Sequence, residues 1–227
     1  MRIIRLILIV IVCTLIAILT IICSPIDYKR KISFLLYKIM CAGILFSAGI
    51  KVKVRGKEKL NPDEVFLYLS NHQSYFDIPV LMKVLPGNVR FVYKKSMTKI
   101  PIFGWAMYLS GYIPIDRKNA RNAIDSLKKA ADAMKRGISI VMYPEGTRSA
   151  DGEVKEFKKG MAMLAAISDC RVVPVSIQGT YDLLPRDSFK IKRGTVYVTI
   201  GSPVDYSKSP EYLNELREIV IKNKSIF

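Results

Sequence analysis

The chain holds one histidine, one tryptophan and four cysteines in 227 residues, and 19 Asp and Glu against 36 Lys and Arg. Each shortage closes off some chemistry. A single imidazole without a C-x-x-C pair cannot complete a Cys/His zinc pattern, so no metal centre is expected. Cys13, Cys23 and Cys41 lie in apolar N-terminal stretches and Cys170 stands alone. This usage reads as packing thiols in a reducing compartment, not a disulfide frame. There is no G-x-x-x-x-G-K-[ST], which removes a P-loop, and PEGTRS has too few glycines for a dinucleotide fingerprint. The nearest approach to the nucleophile elbow G-x-S-x-G is LFSAG at 45–49, where Leu45 replaces the first glycine inside an apolar segment. No internal repeat, low-complexity tract or long linker interrupts the chain, and no cofactor is implied.

The shortage of acids leaves a formal net charge of +17. That balance calls for an anionic partner: nucleic acid, an acidic membrane surface or an acidic substrate. Half of the residues are hydrophobic, which is high for a soluble domain of this size, so part of the surplus is expected to face lipid. The surplus sits at the N-terminus. MRIIRLILIVIVCTLIAILTIICSP carries Arg2 and Arg5 and is then uncharged from Leu6 to Pro25. As a helix, Leu6–Cys23 would cover about 27 Å, close to a hydrocarbon core of about 30 Å. The apolar run is longer than a signal-peptide core, and IICSP is a poor cleavage site. DYKRK follows, then a second apolar segment at 32–50 whose only charge is Lys38. Two full spans would put Lys29, Arg30 and Lys31 across the membrane, against the positive-inside tendency. Two arrangements stay open: a single span by the first segment, or a helical hairpin that enters one leaflet and returns with its lysines at the headgroups. The second is preferred.

From residue 51 the texture changes. KVKVRG, VFLYLS, VRFVYK, GYIPI, ISIVMY, VVPVSI and TVYVTI are short β-rich runs. Between them, RKNARNAIDSLKKAADAMKRG predicts an amphipathic helix with Ala120, Ala123, Ile124, Leu127, Ala130, Ala131 and Met134 on one face and Gly137 at its C-terminal cap. Residues 210–223 predict a terminal helix. Strands alternating with helices imply an α/β fold with a mostly parallel central sheet and flanking helices, preceded by the two-helix membrane-anchoring segment. The expected division is an anchor at 1–50 and a catalytic domain at 51–227.

In such sheets ligands gather beyond the carboxyl ends of strands. His72 follows VFLYLS, Arg117 follows GYIPI, PEGTR follows ISIVMY, and Gln178 and Gly179 follow VVPVSI. With metal, nucleotide and elbow chemistry removed, His72 is left as a base for a substrate, with Asp77 as its orienter. An imidazole titrates near neutral pH, and a carboxylate on Nδ1–H would fix its tautomer. A separation of five residues suits a turn that enters a helix. A second reading of the same stretch is structural: Ser74 and Asp77 form S-x-x-D before IPVL, a capping-box variant that merely closes a helix N-terminus.

Three further stretches weigh on that choice. Together with NHQSYFD, the runs GYIPIDR (111–117), YPEGTRS (143–149) and VVPVSIQG (172–179) resemble, in order and spacing, the four motif blocks of the glycerolipid acyltransferase family, particularly its 1-acyl-sn-glycerol-3-phosphate acyltransferases. The resemblance covers about residues 50–205, and KKSMTKIPIFGW (94–105) is similar to the family's segment between the first two blocks. It implies an enzyme in which His72 is the general base, Asp77 its partner, and Asn71 and Ser74 hold the turn. It implies acceptor binding by Arg117, with Pro114 where the usual block has an aromatic, and places Glu145, Gly146, Thr147 and Arg148 near the acceptor phosphate. Lys94, and Lys158 or Lys159, match further basic positions of the family. The residue types agree with this, since a phosphate dianion needs cations and free backbone N–H groups. Trp105 reads as core or interfacial packing.

The implied reaction moves an acyl chain from acyl-CoA or an acyl-carrier protein to the hydroxyl of lysophosphatidate, through a ternary complex and without a cofactor. It implies a membrane-bound protein in contact with phospholipid, its catalytic domain on the cytoplasmic face. One alternative is the same chemistry on another lysolipid. A different class is a non-catalytic basic binder of anionic lipid or nucleic acid. The lysines are spread through helices and loops instead of clustering with aromatics, which counts against nucleic acid.

Overall fold

The structure is a computed structural model and describes residues 2–117, 119–188 and 190–225. Two N-terminal helices, α1 (Arg2–Cys23) and α2 (Lys31–Ala48), precede β1 (Ile50–Arg55), β2 (Leu67–Ser70) and α3 (Asp77–Val84). Then come β3 (Val89–Lys94), α4 (Phe103–Leu109), β4 (Ile113–Ile115), α5 (Ala120–Lys135) and β5 (Ser139–Met142). The chain ends with α6 (Gly160–Ser168), β6 (Val172–Gln178), α7 (Thr180–Leu183), β7 (Gly194–Ile200) and α8 (Tyr212–Lys224). Each of the seven β-rich runs read from the sequence coincides with one strand to within two residues. They form one sheet in the order β1-β7-β6-β2-β5-β3-β4. The strands from β2 to β6 run parallel, β7 is antiparallel to β6, and β1 follows β7.

The central strands β2, β3, β5 and β6 are covered on both faces, which explains why they are apolar nearly throughout, whereas the edge strand β1 is largely exposed and alternates. In β2, Tyr68 packs with α2 and α3 on one side, while Leu67 and Leu69 pack with α5, α6 and α8 on the other, all three fully buried. The long amphipathic helix forms as its pattern predicts. Asn119 caps it by accepting from Asn122 N–H at 3.1 Å, and Gly137 takes the left-handed conformation just past its end (φ 84°). Leu127, Ala130, Ala131 and Met134 are buried, whereas Ala120 and Ile124, expected on the same face, are exposed in the first turns.

The two N-terminal helices differ. Large apolar side chains of α1 are exposed along its length, among them Ile7, Val10, Leu15 and Ile22. One side of α2 instead enters the core of the sheet through Tyr37, Met40, Cys41, Leu45 and Ala48. The connection between them is fixed twice. The Asp27 carboxylate accepts from the N–H groups of Ile32 (3.1 Å) and Ser33 (2.7 Å) and from the Ser33 hydroxyl, closing the start of α2. Arg90, fully buried at the start of β3, donates to the carbonyls of Ser110 (2.8 Å), Val89 (2.9 Å) and Arg30 (3.1 Å) and to Asn88 Oδ1 (2.6 Å). Its guanidinium also lies 4.8 Å from the Phe34 ring centre.

Arg90→Ala would leave three carbonyls without these donors, at about 1–3 kcal/mol for each group left unsatisfied. A loss of at least about 3 kcal/mol is expected from denaturation in mild detergent. Arg90→Lys should recover only part of it, because one ammonium cannot reproduce the planar fork. Wild-type stability in Arg90→Ala would mean that the α1–α2 connection is held by other contacts.

Candidate active site

The turn from β2 into α3 is built around a buried carboxylate. Asp77, fully buried at the first residue of α3, directs Oδ2 at Nδ1 of His72, 2.7 Å away. The same oxygen accepts from the N–H groups of Gln73 (2.6 Å) and Ser74 (2.9 Å), and Oδ1 accepts from the Thr180 hydroxyl (2.6 Å). A carboxylate offers about four acceptor positions. Four donors reach it here, three on Oδ2 and one on Oδ1, and because an ionised carboxylate only accepts, the His72 contact is made with Nδ1–H as donor. In the neutral ring Nε2 is then the acceptor nitrogen, and the side chain is 16% exposed. Of the two readings of S-x-x-D, the helix cap is not formed: α3 begins at Asp77 after Phe76 with no side-chain cap, and the Ser74 N–H that Asp77 accepts lies in the turn before the helix, on the same oxygen that holds the imidazole.

Neighbouring residues fix this turn to the sheet. Asn71 makes a two-way pair with the Ile177 backbone, accepting from its N–H at 2.8 Å and donating to its carbonyl at 2.9 Å, which ties the end of β2 to β6. Ser74 Oγ donates to Leu184 O at 2.8 Å. The backbone of His72 is held on both sides by the segment after β5: its N–H donates to Glu145 Oε1 (2.8 Å), and its carbonyl accepts from Ser149 N–H (2.7 Å). The Tyr143 ring stacks on the imidazole with centres 4.0 Å apart and planes 13° from parallel. Burial is the main cause pushing the Glu145 carboxyl up to about 7; the N–H donors of His72 and Lys155 act in the opposite direction.

Cations gather at Gly146. This residue has φ 77°, a conformation that favours glycine, and a Cβ here would lie 2.9 Å from Lys158 Nζ. Arg117, arriving from β4, donates to Gly146 O. Arg148 is engaged elsewhere: it donates to Arg186 O at 2.8 Å, and its guanidinium lies 3.7 Å from the ring centre of Tyr75. Thr147 is exposed. Lys94 ends β3, is exposed, and shares the carboxyl edge of the sheet without a direct contact to these groups among the described residues. Beside the turn, on the α1–α2 side of the sheet, lies an apolar cavity of about 310 Å³ lined by Cys13, Tyr37, Cys41, Tyr75, Phe91 and Met107 among others. Thus His72, Asp77, Glu145, Gly146, Arg117 and Lys158 come together. Thr180 and Tyr143 join them without having been singled out from the sequence.

The raised Glu145 carboxyl has a consequence for stability. In the unfolded chain such a group releases its proton near its ordinary value of about 4.3. Between about 4.3 and about 7 the folded state holds a proton that the unfolded state has lost, so stability falls as pH rises through this window and levels off above it. Glu145→Gln cannot ionise. Its thermal midpoint is expected to gain on wild type from about pH 5 to about pH 8. A constant difference over that range would show that Glu145 is not the group concerned.

The family model described as Acyltransferase matches residues 51–178, more than half of the chain. The chain is 36% identical over 201 residues to a chloroplastic 1-acyl-sn-glycerol-3-phosphate acyltransferase of Arabidopsis thaliana, an alignment covering 88% of this chain and 56% of the relative. It is 30% identical over 168 residues to the human 1-acyl-sn-glycerol-3-phosphate acyltransferase alpha, covering 74% and 59%. It thus spans little more than half the length of these curated relatives. The crystal structure of the 1-acyl-sn-glycerophosphate acyltransferase of Thermotoga maritima superposes with a TM-score of 0.83 at 26% identity, over 98% of this chain and 94% of that one. The chain belongs to the acyltransferase family.

Proposed function

We propose that the chain transfers an acyl group from an acyl thioester to the free hydroxyl of 1-acyl-sn-glycerol-3-phosphate, giving phosphatidic acid. The observation that carries this reading is the His72–Asp77 pair, with one imidazole nitrogen held and the other left as acceptor, beside clustered cations and an apolar cavity. Nε2 takes the proton from the acceptor hydroxyl as its oxygen attacks the thioester carbonyl carbon. The carbonyl electron pair moves to oxygen and returns as the carbon–sulfur bond breaks. The proton on Nε2 passes to the departing thiolate of CoA or the carrier protein. Asp77 stays an acceptor throughout and stabilises the imidazolium. Tyr143 limits rotation of the ring.

Arg117, Lys158 and the turn at Glu145–Arg148 are suited to the phosphate, because two cations converge on a backbone with little side-chain bulk. Lys94 is read as a more distant contact of the same headgroup. Arg148, held by Arg186 O and Tyr75, contributes its remaining N–H donors. The cavity is suited to an acyl chain. The exposed apolar side of α1, set against the core-facing side of α2, supports a hairpin in one leaflet, since α2 could not enter lipid alone without uncovering the sheet. On this reading residues 1–50 anchor the protein, 51–227 carry the chemistry, and the site meets a bilayer acceptor from the cytoplasmic side. The donor arrives from water.

General-base catalysis is typically worth about 10²–10⁴-fold. His72→Ala should therefore lose nearly all lysophosphatidate-dependent thiol release from acyl-CoA while keeping its fold by circular dichroism. Retention of more than about a tenth of the rate would sink the mechanism. The phosphate contacts are tested separately. Lys158→Ala should reduce kcat/KM for lysophosphatidate roughly 10- to 150-fold, the equivalent of one charge-assisted hydrogen bond. The variant should leave turnover of monoacylglycerol, which lacks the phosphate, near wild type. Equal losses on both acceptors would remove Lys158 from the headgroup site.

A further inference from the structure

The connection between β3 and β4 carries a surface that the reaction does not use. It comprises a tight helical turn, Lys95–Lys99, followed by α4. The two are packed as one unit: Gly104 lies so close to the turn that a Cβ there would sit 2.2 Å from Met97 O. The inner side is committed. Phe103, Ala106, Met107 and Ser110 face Ile16, Ala17 and Thr20 of α1 across a small gap. The outer side is not. Trp105 is 52% exposed and Tyr108 58%, with Ile100 and Leu109 also exposed. Lys95 and Lys99 are exposed in the preceding turn, Lys95 lying 3.7 Å from Asp116.

We propose that this outer side is a third membrane contact, which seats Trp105 and Tyr108 at the headgroup level of an anionic bilayer with Lys95 and Lys99 toward the phosphates. The inference rests on the reading of α1 and α2 as a leaflet-embedded hairpin. Three observations select lipid as the occupant. The surface adjoins the part of α1 whose Leu15, Ile18, Leu19 and Ile22 are exposed, so the two apolar faces are continuous through the α1–α4 contact. Its residue types are those of a bilayer interface: aromatic rings with a polar atom, flanked by lysines whose stems reach along apolar surface. The net charge of +17 favours anionic lipid over an uncharged surface. The contact would also fix the tilt of the protein. Met97, Phe103 and Met107 of the same unit line the apolar cavity, so its wall would be held at the acyl region.

The chain's single tryptophan makes the test direct, since the intact protein carries its own probe at the proposed contact. Full-length protein is reconstituted into phosphatidylcholine–phosphatidylglycerol vesicles, and co-flotation after a high-salt wash reports the hairpin. Trp105 emission is then followed with lipids brominated near the headgroup or near the chain end, and with acrylamide in the water. The expected result is loss of most of the emission to the shallow bromines, less to the deep ones, and protection from acrylamide. Lys95→Glu combined with Lys99→Glu should weaken the shallow quenching in anionic vesicles without abolishing flotation. Protein that floats but keeps Trp105 open to acrylamide and untouched by brominated lipid overturns the third contact and leaves the hairpin standing. Trp105 shielded from both quenchers also overturns it and points to a second protein copy. Failure to float overturns the hairpin reading itself.

Discussion

The Asp77 carboxylate is the constraint on which the site's geometry depends. Taking a carboxylate out of water costs several kcal/mol unless its acceptor positions are filled. In a fully buried position, Asp77 obtains two donors from the turn that precedes it, one from Thr180 after β6, and one from His72. The shape of the β2–α3 turn, the spacing of β2 from β6 and the orientation of the imidazole are therefore one problem with one solution. Asn71 works toward the same end by joining β2 to the Ile177 backbone, so that Thr180 arrives where its hydroxyl is needed.

A second layer secures the histidine from the other neighbour of β2. The segment after β5 binds both the N–H and the carbonyl of His72, and Tyr143 covers its ring. Glu145 accordingly holds the backbone of His72, while Gly146, one residue on, leaves room for the Lys158 ammonium and the Arg117 guanidinium. Within one short motif, adjacent residues thus do different things: Glu145 turns its carboxyl to the His72 backbone, and Gly146 lies against Lys158 and Arg117. On the α1–α2 side of the sheet, the apolar cavity begins within a few residues of the same turn, at Tyr75 and Phe76.

Most of the fold is legible in the sequence because its signals are local. Strands buried on both faces give continuous apolar runs, and α5 announces itself by period and caps. The reversal of β1 and β7 is not legible, since either direction satisfies the same apolar pattern. The short helices α4, α6 and α7 have too few turns to show a period. At the site, His72 and Asp77 are readable through their spacing and the histidine's isolation. Thr180 is not: it lies 103 residues from Asp77, and a threonine after a glycine carries no signal of its own. The exposed Ile124 shows the limit of periodicity, which predicts a face and not how much of the helix that face covers. Arg148 stands in the expected motif, yet Tyr75 and Arg186 already claim much of its guanidinium.

The central claim is that Asp77, held by three further donors, keeps the only imidazole in one tautomer with Nε2 free to accept a proton. Nitrogen-15 NMR of protein labelled at histidine reads this directly, because the chain gives a single pair of ring signals. In the neutral ring the account predicts a protonated Nδ1, its proton shifted far downfield by the 2.7 Å contact with Asp77, and an unprotonated Nε2. A ring protonated at Nε2, or one exchanging freely between the two tautomers, would contradict it.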